Sequence, residues 1–518
     1  MSRDEGASMS QGRAPLHRAR VNRGRRTVLY GVVGAVVSVC LVLVLWSILP
    51  GADARWATLR LDILRIQVTN GPLVPVVYGL AGLGLVSLLV RRWRVKPLTA
   101  TLVTVAVAVS LTALSLWYIN ECNLFGVGLD QGTTVWALVT FAGVGVAVGA
   151  LWWSGWRRRT VAVASICVFL AAGTLGINAD FGLDSTIADL AGVSLAPPLR
   201  LPSTSQMKKP SELSSPQTGP LWQTWTPPAD MPRVGTTGQI VIPPTVSGFH
   251  SRPAGIYLPP AALVANPPRL PLVIMMMGQP GNPDPSYVAS VLNDFAAQNR
   301  GLAPIVLVVD QLGNPAIDTL CLNTSRYGNV ETFLSVDVVN WARTHLHVLQ
   351  DPAHWIVAGY SNGGECALSL GATYPQIWDN VLDISGEAYP GSDASAVTLR
   401  TAFNGDRPAY HATFPSTILA AGHYPNTVGI FTVGSNDTFY VAQARDVRAD
   451  AAAAGWKTTY WEVPNGGHVL KALMGGLSEG FSVLYPRLGL SEPVDDTSSQ
   501  VSVARSPLAT IVHSMFRH

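Results

Sequence analysis

One short stretch of the chain has the residues of a serine nucleophile on a tight turn. Residues 359–363 read Gly-Tyr-Ser-Asn-Gly, after the apolar run 355–358 and before a run rich in alanine and leucine. Glycines on both sides of a serine are typical of a strand-to-helix turn so sharp that larger side chains would clash. The pattern is weak by itself, because a chain with 48 glycines contains chance matches. The assignment of Ser361 as a nucleophile therefore depends on an acid and a base elsewhere in the chain.

An aspartate and a histidine follow this serine, each just past a predicted strand. The apolar run 428–433 ends at Gly-Ser-Asn-Asp437, and the run 458–463 leads through Pro-Asn-Gly-Gly to His468. A hydroxyl is a poor nucleophile until a base removes its proton, and a buried carboxylate fixes the tautomer of that base. We therefore predict a catalytic triad of Ser361, Asp437 and His468, in the chain order of α/β-hydrolases. A turn-capping role is the alternative for this aspartate. The alternative acids are Asp406, Asp446 and Asp450.

Acyl transfer also needs hydrogen-bond donors for the oxyanion of the tetrahedral intermediate, usually two backbone N–H groups. We predict one donor at Asn362, directly after the serine. The other should follow the third strand, the apolar run 272–277, which ends in Gly-Gln-Pro-Gly. We predict the backbone amide of Gln279 there, although a plain turn explains these glycines and the proline equally well.

Four stretches together resemble the putative-esterase family. They are Gly-Gln-Ile-Val-Ile-Pro at 238–243, Arg-Pro-Ala-Gly-Ile-Tyr-Leu-Pro-Pro at 252–260, Gly-Tyr-Ser-Asn-Gly-Gly at 359–364 and Gly-Gly-His at 466–468. That family includes esterase D, feruloyl esterases and the mycolyl-transferring proteins of mycobacterial envelopes, and the resemblance covers about residues 233–488. It implies a serine ester hydrolase or acyltransferase with a three-layer αβα sandwich, a mostly parallel sheet, and no metal or organic cofactor. Many members carry His-Gly where this chain has Met277-Gly278.

The first third of the chain contains five apolar stretches without a single Asp, Glu, Lys, Arg or His. They are 27–50, 72–90, 97–119, 133–153 and 160–177. Each has about the length, roughly 17–25 residues, that a helix needs to cross a bilayer. Five in succession cannot be a cleaved signal peptide. We predict a five-span α-helical membrane domain over 27–177, after a basic tail at 1–26.

The distribution of positive charge predicts how this domain lies in the membrane. Arginines and lysines cluster in 18–26, 91–96 and 157–159, which all fall on one side of the predicted spans. By the positive-inside rule that side is cytoplasmic. The loop between the first two spans also carries three arginines, and its apolar residues at helical spacing favour a short surface helix. The prediction is a multi-pass cell-membrane protein with a cytoplasmic N-terminus and an extracytoplasmic esterase domain.

Composition divides the rest of the chain. Residues 178–232 are rich in proline, serine and threonine, which predicts an extended extracytoplasmic linker, and the polar residues 491–518 predict a mostly disordered tail. Residues 233–490 remain for one α/β domain.

The net charge of +3 comes largely from the predicted cytoplasmic arginines, so it gives no reason to expect nucleic acid. We expect no cofactor and no metal, because we find neither a phosphate-binding glycine motif nor a His/Cys/acid cluster with metal-ligand spacing.

Two of the five cysteines, Cys321 and Cys366, lie in the predicted α/β domain. Cys366 falls in the first turn of the helix after the serine, and Cys321 in the loop after the predicted strand 305–309. Thiols outside the cytoplasm tend to oxidise. We predict a disulfide between them, with two free thiols as the alternative. Cys122 has no obvious partner.

These observations predict a membrane-anchored extracytoplasmic serine esterase or acyltransferase. It would act through an acyl-enzyme on an ester of a cell-envelope lipid or glycan, and the motif does not say whether water or an alcohol accepts the acyl group. One alternative is a catalytically inactive membrane scaffold or receptor with an esterase-like domain. Another is a transporter with an accessory domain, which is less favoured because the predicted spans contain no Asp, Glu, Lys, Arg or His.

Overall fold

The computed structural model describes residues 52–69, 71–90, 95–121, 129, 131–152, 154–182, 184–190, 195–199 and 219–493. The chain forms two compact units, Met1–Arg65 and Ile66–His518. In the first unit the described element is the helix Ala52–Leu64, within the loop for which a surface helix is predicted. The predicted basic tail, the first predicted span and all but the first residues of the predicted C-terminal tail lie outside the described residues.

Four helices of the second unit coincide with the other four predicted spans. They are Leu73–Leu89, Val95–Glu121, Gln131–Gly149 and Trp156–Phe181. Among the described residues, Val95–Ile119, Gln131–Gly149 and Trp156–Phe181 are long and apolar enough to cross a membrane, whereas Leu73–Leu89 has only 17 residues. Small residues bring these helices together, since a Cβ atom on Gly145 would lie 2.7 Å from the Cα of Val105. We call these four helices the helical domain.

The described part of the remaining chain builds a mixed eight-stranded sheet and a small hairpin. The strands are β1 (Thr236–Ile240), β2 (Ala254–Leu258), β3 (Leu272–Met276), β4 (Ile305–Val309), β7 (Trp355–Tyr360), β8 (Asn380–Ile384), β9 (Val428–Gly434) and β10 (Lys457–Val463), and the hairpin is β5 (Asn323–Thr324) with β6 (Gly328–Asn329). The order across the sheet is β1-β2-β4-β3-β7-β8-β9-β10. Strands β4 to β10 of that order run parallel, while β1 and β2 pair antiparallel at one edge. Strands β3, β4, β7, β8 and β9 are buried along their whole length, as parallel strands covered on both faces must be.

Helices cover both faces of this sheet. Neighbouring residues of a strand point to opposite faces. On β8, Val381 lies against Gly371 of the helix Asn362–Thr373, whereas Leu382 lies against Gly480 of the helix Leu470–Arg487. These two helices are therefore on opposite faces, which makes the predicted three-layer αβα sandwich.

Further helices complete the two outer layers and the loops. Ser286–Gln298 packs with Leu470–Arg487, and Pro415–Ala421 packs with both Asn362–Thr373 and Thr438–Ala453. The shorter helical segments are Ile187–Leu190, Leu221–Thr224, Pro260–Ala262, Val330–Thr332, Phe333–Asp337, Val338–His345, Pro352–His354, Ser392–Ala394, Ser395–Thr401 and Arg407–Ala412.

Parts of the segment predicted to be an extended linker are structured instead. The helix Trp156–Phe181 continues past residue 178, and Pro198 pairs with Gln239 beside β1. Leu221 is only 3% exposed and belongs to the core of the α/β domain. Its neighbour Trp222 donates its backbone N–H to the carbonyl oxygen of Gly489 at 3.0 Å. The proline-rich composition concealed a few apolar residues whose burial anchors the backbone.

Candidate active site

Ser361 lies on the turn between β7 and the helix Asn362–Thr373. Its φ of 56° and ψ of −122° fall outside the regions that L-residues usually occupy. The glycines beside it are required by close packing of the backbone. A Cβ atom on Gly359 would lie 1.8 Å from the carbonyl oxygen of Gly363, and one on Gly363 would lie 2.3 Å from the carbonyl oxygen of Met276. The turn therefore needs both glycines, and it holds the serine at the carboxyl edge of the sheet.

Asp437 and His468 reach this serine from the neighbouring strands β9 and β10. Asp437 follows the end of β9 and His468 follows the end of β10, and parallel strands end at the same edge of a sheet. The Nε2 atom of His468 lies 2.8 Å from Oγ of Ser361, and its Nδ1 atom lies 2.7 Å from Oδ2 of Asp437. The side chains of His468 and Asp437 are 14% and 9% exposed. This chain of hydrogen bonds has the geometry of a nucleophile, a base and an orienting acid.

The alternative acids lie elsewhere. All four candidate aspartates are among the described residues, and Asp437 is the one that contacts His468. Asp406 caps the helix Arg407–Ala412, because its Oδ1 atom accepts a hydrogen bond from the backbone N–H of Ala409 at 3.0 Å. Asp446 and Asp450 are within the helix Thr438–Ala453.

Comparison with known proteins places these residues in a family segment. Residues 250–468 match the family model described as "Putative esterase". This segment of the chain is therefore similar to proteins of that esterase family. The matched segment includes the turn of Ser361 and ends at His468. We call residues 219–493, which contain this segment and the whole sheet, the esterase domain.

One similar protein comes from Corynebacterium glutamicum and is described as uncharacterized. It is 31% identical over 282 residues, which are 52% of this chain and 66% of that protein, so the match spans just under two thirds of the relative's length. Among solved structures, a ferulic acid esterase is 15% identical with a TM-score of 0.40, covering 49% of this chain and 98% of that one. An S-formylglutathione hydrolase from Agrobacterium tumefaciens is 14% identical with a TM-score of 0.40 (50% and 97% covered). MPT51 of Mycobacterium tuberculosis is 14% identical with a TM-score of 0.36 (49% and 98% covered).

Two tyrosines that the sequence analysis missed hold the histidine of the esterase domain. The ring of Tyr440 stacks on His468 with centroids 4.1 Å apart, and the ring of Tyr360 lies 5.3 Å from it. Both tyrosines are almost fully buried, and burial raises the pKa of each phenol, so both stay neutral. The two rings restrict rotation of the imidazole between Ser361 and Asp437. Both tyrosines are close in sequence to a predicted triad residue, which could have drawn attention to them. That alone does not predict a contact with the histidine, because buried aromatic residues are common in any core.

Gln311, which the sequence analysis also missed, connects the two predicted oxyanion segments. It follows β4 and is 2% exposed. Its Nε2 atom donates to the carbonyl oxygen of Met277 at 2.6 Å and to Oδ1 of Asn362 at 3.0 Å. A Cβ atom on Gly278 would lie 3.1 Å from Cβ of Ser361, so the segment that leads to Gln279 runs beside the serine. The predicted donors, Asn362 and Gln279, thus belong to two neighbouring segments. The side chain of Gln311 bridges these segments and fixes their relative position.

Asp318 fixes the other end of the Asn362 side chain. The Nδ2 atom of Asn362 donates to Oδ1 of Asp318 at 2.9 Å. Burial raises the pKa of Asp318 to about 6, despite this bond and one from the backbone N–H of Leu320. The same carboxyl lines a cavity of about 580 Å³ together with Ile317, Leu320, Asp393 and Val397. This volume is within the range of small-molecule sites.

Cys321 and Cys366 are joined by a disulfide, with Cα atoms 5.6 Å apart. Cys366 is in the helix Asn362–Thr373, and Cys321 ends the loop that carries Gln311 and Asp318. The disulfide therefore ties this loop to the helix of the nucleophile. Cys167 is free and exposed, while Cys40 and Cys122 lie outside the described residues.

We expect replacement of both Cys321 and Cys366 by serine to lower the free energy of unfolding by about 2–4 kcal/mol. The disulfide closes a loop across 45 residues, and such a closure restricts the unfolded chain. Thermal denaturation measures the loss, with Cys167→Ser as the control that should leave stability unchanged. Mass mapping of the unreduced protein should find the two residues in one linked peptide pair. Alkylation of both thiols without prior reduction would contradict the disulfide.

No metal site is evident in the part of the chain that the structure describes, where no three His, Cys, Asp or Glu side chains are grouped so that they could hold a metal ion.

Proposed function

We propose that this protein is a membrane-anchored, extracytoplasmic serine esterase or acyltransferase. The observation that carries the proposal is the chain of hydrogen bonds from Asp437 through His468 to Ser361. In the first step Oγ of Ser361 bonds to the ester carbonyl carbon while Nε2 of His468 takes the hydroxyl proton. Asp437 holds the imidazole in position and stabilises its positive charge. An inactive scaffold would have no need of this arrangement.

The tetrahedral intermediate then collapses to an acyl-enzyme. The bond to the leaving alkoxide breaks, and His468 returns its proton to that oxygen. The backbone N–H groups of Asn362 and Gln279 are the proposed donors to the oxyanion, held in register by Gln311. Water or an acceptor alcohol then attacks the acyl carbon, with His468 again as base. The first acceptor makes the protein a hydrolase and the second makes it an acyltransferase.

The direction of one helix supports placement of the esterase domain outside the cytoplasm. Trp156–Phe181 carries Arg157, Arg158 and Arg159 in its first turn. Its other end, at Gly182, lies against Leu470 of the esterase domain. The esterase domain is therefore at the end of this helix that is opposite the arginines. If the arginines are cytoplasmic, as the positive-inside rule predicts, the domain is extracytoplasmic.

We expect a protease added to intact spheroplasts to cut the chain between the helical domain and the esterase domain. The cut should give a C-terminal fragment that contains Ser361, detected on a blot through a C-terminal epitope tag. A reporter that is active only in the cytoplasm should be silent when it is fused after Ile177. A chain that is cut only after the spheroplasts are lysed would show that the esterase domain is cytoplasmic.

The proposed substrate is an ester of a cell-envelope lipid or glycan. A membrane anchor keeps an active site at high effective concentration near such a component, whereas a soluble ester gains little from it. We expect a fragment that begins at Leu195, and so keeps both the pairing of Pro198 with Gln239 and the buried Leu221, to cleave short p-nitrophenyl esters as fast as the full-length protein. On lipid esters in vesicles the reconstituted full-length protein should be at least about tenfold faster. Equal rates on every envelope ester tested would favour a soluble substrate.

A further inference from the structure

The loops that leave β9 and β10 both meet the helical domain. Asn436, in the loop after β9, lines a cavity of about 440 Å³ together with Gln131, Gly132, Val135 and Trp136 at the N-terminal end of the helix Gln131–Gly149. Leu470, after β10, packs on the C-terminal end of Trp156–Phe181, where a Cβ atom on Gly182 would lie 3.1 Å from its Cβ.

A third loop, after β3, approaches the same side. The Nδ2 atom of Asn282 lies 3.5 Å from the carbonyl oxygen of Asp189, which is in the short helix Ile187–Leu190. This helix follows Trp156–Phe181 along the chain. The loops after β3, β9 and β10 thus place the carboxyl edge of the sheet toward the helical domain.

The proposed catalytic residues are at that edge. Asn436 directly precedes Asp437, and Leu470 comes two residues after His468. The active site therefore faces the ends of the helices instead of the opposite side of the esterase domain.

The length of the helix Gln131–Gly149 indicates how deep the cavity would lie in a bilayer. Its 19 residues, at about 1.5 Å each, span nearly the roughly 30 Å of a bilayer's hydrocarbon core. Its N-terminal end, where the cavity lies, would then be at the boundary between acyl chains and headgroups. Val135 and Val139 are more than half exposed one turn apart, so an apolar strip leads along the helix to the cavity.

We propose that the helical domain forms one wall of the active-site opening, and that the substrate is a membrane lipid with an ester at headgroup level. The lipid reaches Ser361 between the N-terminal end of Gln131–Gly149 and the loop of Asn436. Its acyl chains stay in the bilayer while the ester enters the site. This inference rests on the proposed esterase or acyltransferase function and specifies its substrate as an amphiphile taken directly from the membrane.

A cross-link tests whether the active site faces the helices. The built Cβ of Gly182 lies 3.1 Å from Cβ of Leu470 and the glycine has a φ of 71°, so Gly182→Cys/Leu470→Cys needs a small backbone shift to reach the roughly 3.5–4.5 Å between the Cβ atoms of a disulfide. We expect mild oxidation of native membranes to link these cysteines, and the linked protein to retain its activity on vesicle lipid. The matched pair Gly182→Cys/Ser482→Cys places the second cysteine 12 residues along the same helix, about 18 Å further, and should not link. Failure of the first pair to link in protein that reacts with a fluorophosphonate would overturn the inference while leaving the proposed function intact.

A cavity-filling variant tests the lipid route. We expect Val135→Trp to lower the ratio of the rate on lipid vesicles to the rate on p-nitrophenyl acetate at least tenfold. Val161→Trp is the matched control. This exposed valine is near the N-terminal end of the helix Trp156–Phe181, which is the end away from the esterase domain. This substitution should change the ratio less than twofold. An unchanged ratio in Val135→Trp, or an equal fall in both variants, would overturn the route. If the unsubstituted protein did not react with a fluorophosphonate, that result would instead refute the proposed function.

Discussion

Ser361→Ala should lower the rate of p-nitrophenyl acetate hydrolysis by about four to six orders of magnitude. Without Oγ no acyl-enzyme can form, and His468 loses the hydroxyl whose proton it takes at 2.8 Å. A small residual rate would reflect stabilisation of the oxyanion by the backbone donors alone. Single-turnover and steady-state hydrolysis measurements on the full-length protein give the size of the loss.

Ser482→Ala is the matched control for this variant. Ser482 is a partly buried serine whose hydroxyl donates to the carbonyl oxygen of Glu479 within the helix Leu470–Arg487. Its replacement should leave the rate within about twofold, because surface and half-buried substitutions away from a site have small effects. A Ser361→Ala protein that hydrolyses the ester at the rate of the control would exclude Ser361 as the nucleophile.

Asp437→Asn should lower the rate by about four orders of magnitude. The amide keeps the shape of the side chain, but it no longer offers a carboxylate at 2.7 Å to Nδ1 of His468. The imidazole then loses the charge that stabilises its protonated form and can adopt the wrong tautomer. The effect should appear in kcat, with the fold checked by circular dichroism.

The other aspartates provide the comparison for this acid. Asp406→Asn removes a cap of the helix Arg407–Ala412, and its effect should be limited to stability, about 1 kcal/mol or less, because asparagine also caps helices well. Asp446→Asn and Asp450→Asn should leave the rate nearly unchanged. Full activity of Asp437→Asn together with a severe loss in one of these three would reassign the acid.

The fold of the esterase domain was predictable because its central strands are nearly continuous apolar runs. The predicted runs 272–277, 305–309 and 428–433 coincide within one residue with β3, β4 and β9. Such runs between turn residues mark strands that are buried on both faces. The bounds of the turn at Ser361 were predicted less accurately. The predicted run ends at residue 358, whereas β7 extends to Tyr360 and the next helix begins at Asn362.

The triad positions were predicted from local context, because each side chain follows a strand whose end could be recognised. The contacts of Tyr360, Tyr440 and Gln311 could not be predicted in this way. A stacked ring or a bridging amide depends on which loops meet in space, and the sequence marks neither the aromatic residue nor the glutamine as different from others in the core. The same limit applies to Leu221, which lies in the predicted linker but is buried in a core formed by residues distant in the sequence.

The helical domain was predicted as apolar stretches, and four of the five predicted stretches coincide with described helices. The end-on contact of these helices with the loops of Asn436 and Leu470 depends on the tertiary structure and was not predicted. The composition of residues 178–232 predicted an extended linker between the helices and the esterase domain. The contacts place the active-site edge of the sheet beside the helices instead.

Labelling of the full-length protein with a fluorophosphonate tests the central claim most directly. This reagent bonds to a serine whose hydroxyl is activated by a neighbouring base, so it reports on the arrangement of Ser361 and His468 without requiring the natural substrate. We predict one phosphonyl adduct, located by peptide mass mapping on Ser361, and its absence in both Ser361→Ala and His468→Ala. An unlabelled native protein, or an adduct that persists in Ser361→Ala, would contradict the account of this protein as a serine esterase or acyltransferase.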